Sequence, residues 1–209
     1  LLAAFTFDRL VVLWLGFGMM VRLVQYLANR SLWADEAVLA LNIVNRSYLQ
    51  LLQPLDYDQA APIGFLWVEK FAVGVLGNNE YALRLFPVLA SLFSGFWFYQ
   101  IAIALVSRKA VPMALALFAC LEYLVYYAAE VKQYSTDVAI ALFLMAMMLQ
   151  LRQSEKLDRL QIVSAALVGS LSIWFAHPAV FVVAGLGLLV GLESCGVKRL
   201  QLGEIYVTW

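Results

Sequence analysis

The run Leu10-Val-Val-Leu-Trp-Leu-Gly-Phe-Gly-Met-Met-Val-Arg-Leu-Val-Gln-Tyr-Leu-Ala28 decides the fold, and Ser31-Leu-Trp-Ala-Asp-Glu-Ala-Val38 follows it almost at once. A helix that crosses a bilayer needs about 20 mostly apolar residues. The first run meets that length with one charge, Arg22. The second places two adjacent carboxylates, Asp35 and Glu36, against the end of an apolar helix. Carboxylates next to hydrocarbon are costly unless water, a cation or a chemical task compensates them.

Working outward, the whole chain repeats the first signal. It has 209 residues, of which 64% are hydrophobic and 13% charged. Its mean hydropathy is +0.84. Soluble domains carry roughly 45–50% apolar and about 25% charged residues. An all-α integral membrane protein is the class this composition supports, because lipid leaves no partner for an open sheet edge. Basic and acidic residues balance at 14 each, which gives no electrostatic footprint for nucleic acid. Cys120 and Cys195 belong to different apolar regions and read as free thiols. The sequence from Gly203 to Trp209 stops without an evident ending, so residues 1–209 read as one transmembrane module of a longer chain.

Six apolar runs are expected to span: Leu10–Ala28, Ala82–Ser107, Val111–Ala128, Asp137–Leu151, Ile162–Phe175 and Ala179–Leu192. With a cytoplasmic N-terminus, eight of the 14 basic residues fall on the cytoplasmic side: Arg9, Arg108, Lys109, Arg152, Lys156, Arg159, Lys198 and Arg199. The outer segments collect Asp35, Glu36, Asp56, Asp58, Glu69, Glu80, Glu130 and Asp137. That asymmetry follows the positive-inside rule. It orients the chain as a multi-pass membrane protein with a cytoplasmic N-terminus and an acidic outer face.

The first outer loop, residues 29–81, is long enough for structure of its own. Pro62–Leu76 is apolar but short, and carries Glu69 and Lys70 in its middle. It reads as a helix lying on the membrane surface, with Pro62 at its first position and Trp67 and Phe71 anchoring it. Ala34–Asn45 reads as a second interfacial helix, opened by Asn29 or Ser31. The expected fold is therefore about six transmembrane helices plus two interfacial ones.

For each candidate residue a chemical reading stands beside a plain one. Asp35 and Glu36 are either the acidic first turn of a surface helix or a general base with a partner that tunes it. Glu130, in Glu130-Val-Lys-Gln-Tyr134, lies either in a solvated turn or in the cavity that Asp35 faces. In the second case Lys132 supplies a point charge for phosphate and Tyr134 a hydroxyl. Converging outer carboxylates also suit a divalent ion, with Glu36 and Glu130 as ligands. Arg84 reads equally as a headgroup anchor and as a substrate contact. His177 is a cap, an interface residue or a ligand, and Arg22 and Glu122 are candidates to pair inside the bundle. Asp56 and Asp58 read as loop residues.

The order of these segments resembles a known family. Trp33-Ala-Asp-Glu36 follows the first span, and Ala61-Pro-Ile-Gly-Phe-Leu-Trp-Val-Glu-Lys70 and Asn79-Glu-Tyr-Ala-Leu-Arg-Leu-Phe-Pro87 come next. Ala129-Glu-Val-Lys-Gln-Tyr134 and Phe175-Ala-His-Pro178 close the series. This resembles the GT-C superfamily of polytopic glycosyltransferases. The nearest branch is glycosyltransferase family 39, with the protein O-mannosyltransferases and the lipid A aminoarabinose transferase. The resemblance covers nearly the whole chain as an amino-terminal transmembrane module. It implies transfer of a sugar from a polyprenyl-phosphate donor to a lipid, glycan or protein acceptor on the extracytoplasmic side, part of cell-envelope chemistry. It implies Asp35 as catalytic carboxylate, Glu36 as its acidic neighbour and Glu130 as the acid of the second loop. Lys132 stands where an arginine is common, and Ala61 replaces one proline of a proline pair. Two rivals remain at this point: an inactive accessory subunit with the same fold, and a transporter or flippase.

Overall fold

The computed structural model describes residues 2–153 and 158–194, which form helices and loops with no strand among them. The expectations for Cys195, Lys156, Lys198 and Arg199 lie outside the described residues. In order come α1 (Leu2–Leu27), α2 (Ala34–Asn45), α3 (Ile63–Leu76), α4 (Glu80–Leu105) and α5 (Val111–Cys120). They are followed by α6 (Glu122–Tyr126), α7 (Tyr134–Gln153), α8 (Arg159–Phe175) and α9 (Ala179–Ser194). Helix α4 is the hub and packs against α1, α3, α5 and α7, while α8 and α9 flank α7.

Three helices are long and apolar enough to cross a membrane: Phe7–Leu27, Glu80–Leu105 and Tyr134–Arg152. The pair formed by α5 and α6 makes a fourth crossing if it counts as one span, but it bends by 59°. Helices α8 and α9 have 17 and 16 residues. At 1.5 Å per residue they are roughly 26 and 24 Å long, short of a hydrocarbon core of about 30 Å. The six expected spans therefore reduce to three or four by length and composition.

The bend has an identifiable cause. Arg22 of α1 reaches the end of α5, where its guanidinium donates to the carbonyls of Phe118 at 3.3 Å and Ala119 at 3.5 Å. These carbonyls would otherwise bond residues one turn on. A cation at a helix C-terminus complements the orphan carbonyls and the dipole. The chain turns extended at Leu121 and restarts as α6. The expected Arg22–Glu122 pair does not form, since Glu122 is exposed and Arg22 is buried.

Helices α2 and α3 cover the two stretches of the first outer loop that were expected to be helical. Their inner faces share one cluster with α4 and the second loop: Leu39, Ile43, Phe65, Leu66, Leu83 and Val131. The outer face of α3 leaves Trp67 and Phe71 exposed. Two boundary details differ from expectation. Pro62 is the residue before α3 rather than its first position, and Trp33, not Asn29 or Ser31, precedes α2. An indole offers no cap acceptor, so the Glu36 carboxylate accepts from Trp33 N at 3.3 Å instead. Gly64 is needed where α3 meets the end of α8: a Cβ there would sit 2.8 Å from the Trp174 carbonyl oxygen.

Lys70 and Glu69 divide the polar load of α3 unequally. Lys70 Nζ caps α2, donating to Ile43 O at 3.0 Å and Val44 O at 3.4 Å. Glu69 is fully buried on the face that carries Phe65, Leu66 and Ala72, and neither carboxylate oxygen has a hydrogen-bond partner. Burial pushes its pKa well above the ordinary carboxylate range. A raised folded-state pKa means the stability is full below the unfolded value and declines as pH rises from there. Glu69→Met is thus expected to raise the melting temperature at pH 8, with a gain of about 1–3 kcal/mol. It should also flatten stability against pH between 5 and 8 in a detergent-solubilised melt, and a lower Tm at pH 8 would contradict this assignment.

Candidate active site

One end of the bundle gathers the C-terminus of α1, the N-termini of α2, α4 and α7, and both expected outer loops. Tyr26 Oη donates to Tyr81 O at 2.9 Å and Tyr81 Oη to Leu27 O at 3.3 Å, which ties α1 to α4 there. The charged residues meet just above this junction.

The buried layer comes first. Glu36, in the first turn of α2, and Arg84, in the second turn of α4, are both essentially inaccessible. Arg84 Nη2 donates to both Glu36 oxygens, at 3.1 and 3.2 Å, and its Nε donates at 3.3 Å. Its Nη1 donates to Arg30 O at 2.6 Å, so one guanidinium fixes both sides of the α1–α2 connection. Glu36 Oε1 also accepts from Val131 N at 2.9 Å, which pins the second loop to the first. Glu130, equally buried, accepts from Arg30 Nη2 at 2.7 Å. The same Arg30 nitrogen lies 4.0 Å from Glu36. Its guanidinium stacks over the Tyr126 ring at 4.3 Å.

A partly exposed acid, Asp35, and a buried cation, Lys132, sit on this base. Lys132 Nζ lies 2.7 Å from Asp35 Oδ2, and the Asp35 side chain keeps 34% of its surface exposed. Gln59 ties the pair: its amide nitrogen donates to Asp35 at 3.1 Å, and its amide oxygen accepts from Lys132 at 2.8 Å. The hydrogen bond from Lys132 holds the Asp35 carboxyl below the usual carboxylate range, against a smaller opposing effect of burial. Tyr134, half exposed, stands beside the group within electrostatic reach of Asp35 and Glu130. Its ring lies 4.7 Å from that of Tyr127, in a file that continues through Tyr123 and Tyr126.

The cluster holds three carboxylates (Asp35, Glu36, Glu130) and three cations (Arg30, Arg84, Lys132), so it is neutral as a unit. Only Asp35 among the acids reaches solvent. Glu36 and Glu130, expected among the catalytic residues, are buried and bonded to arginines, and in this arrangement they hold the two loops together. The pair does not fit a divalent ion: the Arg30 guanidinium stands between the two carboxylates, where a cation would be needed. Among the described residues no group of three or more His, Cys, Asp or Glu side chains gathers to hold a metal. Arg84 is a buried strut, not a surface contact. His177 is exposed in the turn between α8 and α9, with no hydrogen bond or ion pair to the cluster. Asp56 pairs with Arg46 at 2.9 Å in the loop.

Sequence reasoning missed Arg30 and Gln59. Arg30 was visible as a lone base between the first span and the acidic doublet. Gln59 carries no comparable signal. Comparison with protein-family models, curated proteins and solved structures finds no significant match for this chain.

Proposed function

We propose that this chain is the amino-terminal transmembrane module of a membrane glycosyltransferase. It would move a sugar from a polyprenyl-phosphate donor to an acceptor hydroxyl or amine at the extracytoplasmic face. The bend in the α5–α6 pair and local thinning around α8 and α9 bring the bundle to six crossings in this reading. The positive-inside asymmetry then sets the cluster on the outer side. One observation carries the proposal: a single solvent-reached carboxylate, Asp35, meets a cation from the other loop, Lys132, on a buried ionic base that fixes both.

The reaction needs little else from the protein. The acceptor heteroatom attacks the anomeric carbon, and Asp35 takes its proton. The bond from that carbon to the phosphate oxygen breaks, with its electron pair leaving on polyprenyl phosphate. Lys132 meets the phosphate charge, as an ammonium does well. Donor binding thereby exchanges the Lys132 partner from carboxylate to phosphate. That exchange frees Asp35 and makes it more basic when the acceptor arrives. Arg30, partly exposed beside Tyr126, is a second cation within the same cluster. No step here is routed through a metal.

Transfer assays on the complete protein with a panel of polyprenyl-phosphate sugars test this reading. Conversion of at least one donor supports it, and no conversion across the panel favours the accessory-subunit rival. That rival draws on the internal neutrality of the cluster. A pH profile tests the Lys132 role separately. Lys132→Met removes the charge that depresses Asp35, so the acid limb of kcat/KM is expected to move to higher pH. The direction follows from the base having to be ionised. An unmoved limb, whatever the change in rate, would remove Lys132 as the group that tunes Asp35.

A further inference from the structure

Helices α1, α4 and α5 enclose a cleft of about 540 Å³, well below the ionic cluster. That volume lies within the roughly 300–1,000 Å³ of ligand pockets. Its walls are apolar and include Trp14, Met19, Phe93, Trp97 and Phe118. Arg22 is the one charged residue that lines it. Its rim residues Met19, Phe93 and Phe96 are exposed, so the cleft opens on the side of the bundle and not at its end.

Arg22 as a whole residue is 3% exposed, and every acceptor its guanidinium reaches is neutral. These are Ser91 Oγ at 2.9 Å, Gly18 O at 3.0 Å and the two long contacts at the end of α5. No carboxylate lies within ion-pair distance of it among the described residues. Dipoles ease a buried cation, but a full charge in hydrocarbon is normally paired. Arg22 lies five residues before Leu27, about 8 Å along the axis from the end of α1. Trp14 lies eight residues further in, so the apolar wall runs roughly 12 Å deeper. A cation near the mouth of a deep, side-opening apolar cleft complements an anionic head on an acyl tail.

We infer that this cleft is a lipid site, which holds an anionic phospholipid with its phosphodiester at Arg22 and an acyl chain along Trp14, Phe93 and Trp97. The inference is independent of the glycosyl-transfer reading and needs only that the bundle is embedded in a membrane. Bound lipid would brace the bent α5–α6 pair, because the same guanidinium caps α5.

Native mass spectrometry of the full chain tests this, with dioleoyl phosphatidylglycerol, dioleoyl phosphatidylcholine and oleate as separate probes. Phosphatidylglycerol should be retained at least about tenfold more tightly than phosphatidylcholine. Arg22→Gln should abolish that preference. Gly95→Leu is the second arm, in case loss of Arg22 unsettles the α5 cap. The nearest atom to a Cβ at Gly95 is Leu15 Cδ2 at 4.0 Å, so leucine fills the cleft without a backbone clash. That variant should fold, as circular dichroism would show, and lose phosphatidylglycerol. Equal retention of the two phospholipids, oleate binding as tightly as phosphatidylglycerol, or full retention by Gly95→Leu would each overturn the proposal.

Discussion

Asp35→Asn is expected to lower kcat for sugar transfer by about 10²–10⁴-fold, the usual worth of a positioned general base. The substitution keeps the shape of the side chain and the hydrogen bond from Gln59. It removes the ion pair with Lys132, whose side chain is only 7% exposed, and leaves that ammonium with the Gln59 amide oxygen as its remaining partner. Expression and membrane insertion should stay close to those of the parent, with a modest fall in melting temperature from the ammonium left without its counter-charge. Activity lost together with folding would not test the role, which is why both are measured on the same preparation. Unchanged turnover would remove Asp35 from the mechanism.

The second large effect is structural. Arg84→Met should destabilise the protein by about 3–5 kcal/mol, because Glu36 would remain buried with its charge uncompensated. Arg84 supplies three of the hydrogen bonds to that carboxylate and one to the Arg30 carbonyl. Adding Glu36→Gln to Arg84→Met should recover part of the loss, since the stranded charge is then gone. A double-mutant cycle in detergent-solubilised unfolding gives the coupling directly. A loss under about 1 kcal/mol for Arg84→Met would mean that the buried pair does not hold the loops, since that is the worth of an exposed pair. Activity would fall with this variant as well, because Glu36 also accepts from Val131 N beside Lys132.

What the sequence discloses of this fold is local. Apolar length places the long helices α1, α4 and α7, and Pro62 marks the start of α3. The start of α2 at Ala34 follows from the acidic first turn. Apart from the short α8 and α9 and the shifted starts of α2 and α3, the failures are matters of long-range partnership. The break at Leu121 depends on Arg22, nearly a hundred positions away, and nothing within Val111–Ala128 announces it. Glu69 looks like a solvated charge on a surface helix, yet it lies on the buried face of α3 without a hydrogen-bond partner. In the site, Asp35, Lys132 and Tyr134 come together as their loops suggest. Glu36 and Glu130 look alike in sequence to Asp35 but are buried by arginines whose positions only the tertiary fold fixes. Gln59 is invisible for the same reason: a loop glutamine acquires meaning only when the chain folds it between two charges.

Donor turnover in sealed vesicles of known orientation tests the central claim most directly. The probe is a short-chain, membrane-impermeant polyprenyl-phosphate sugar, added together with a panel of alcohol and amine acceptors to one face of vesicles that contain the complete protein, and released prenyl phosphate is measured. Right-side-out vesicles are predicted to cleave it without permeabilisation, and inverted vesicles only after detergent. Turnover confined to intact inverted vesicles, or absent from both even when opened, would contradict an outer-face transferase built on Asp35 and Lys132.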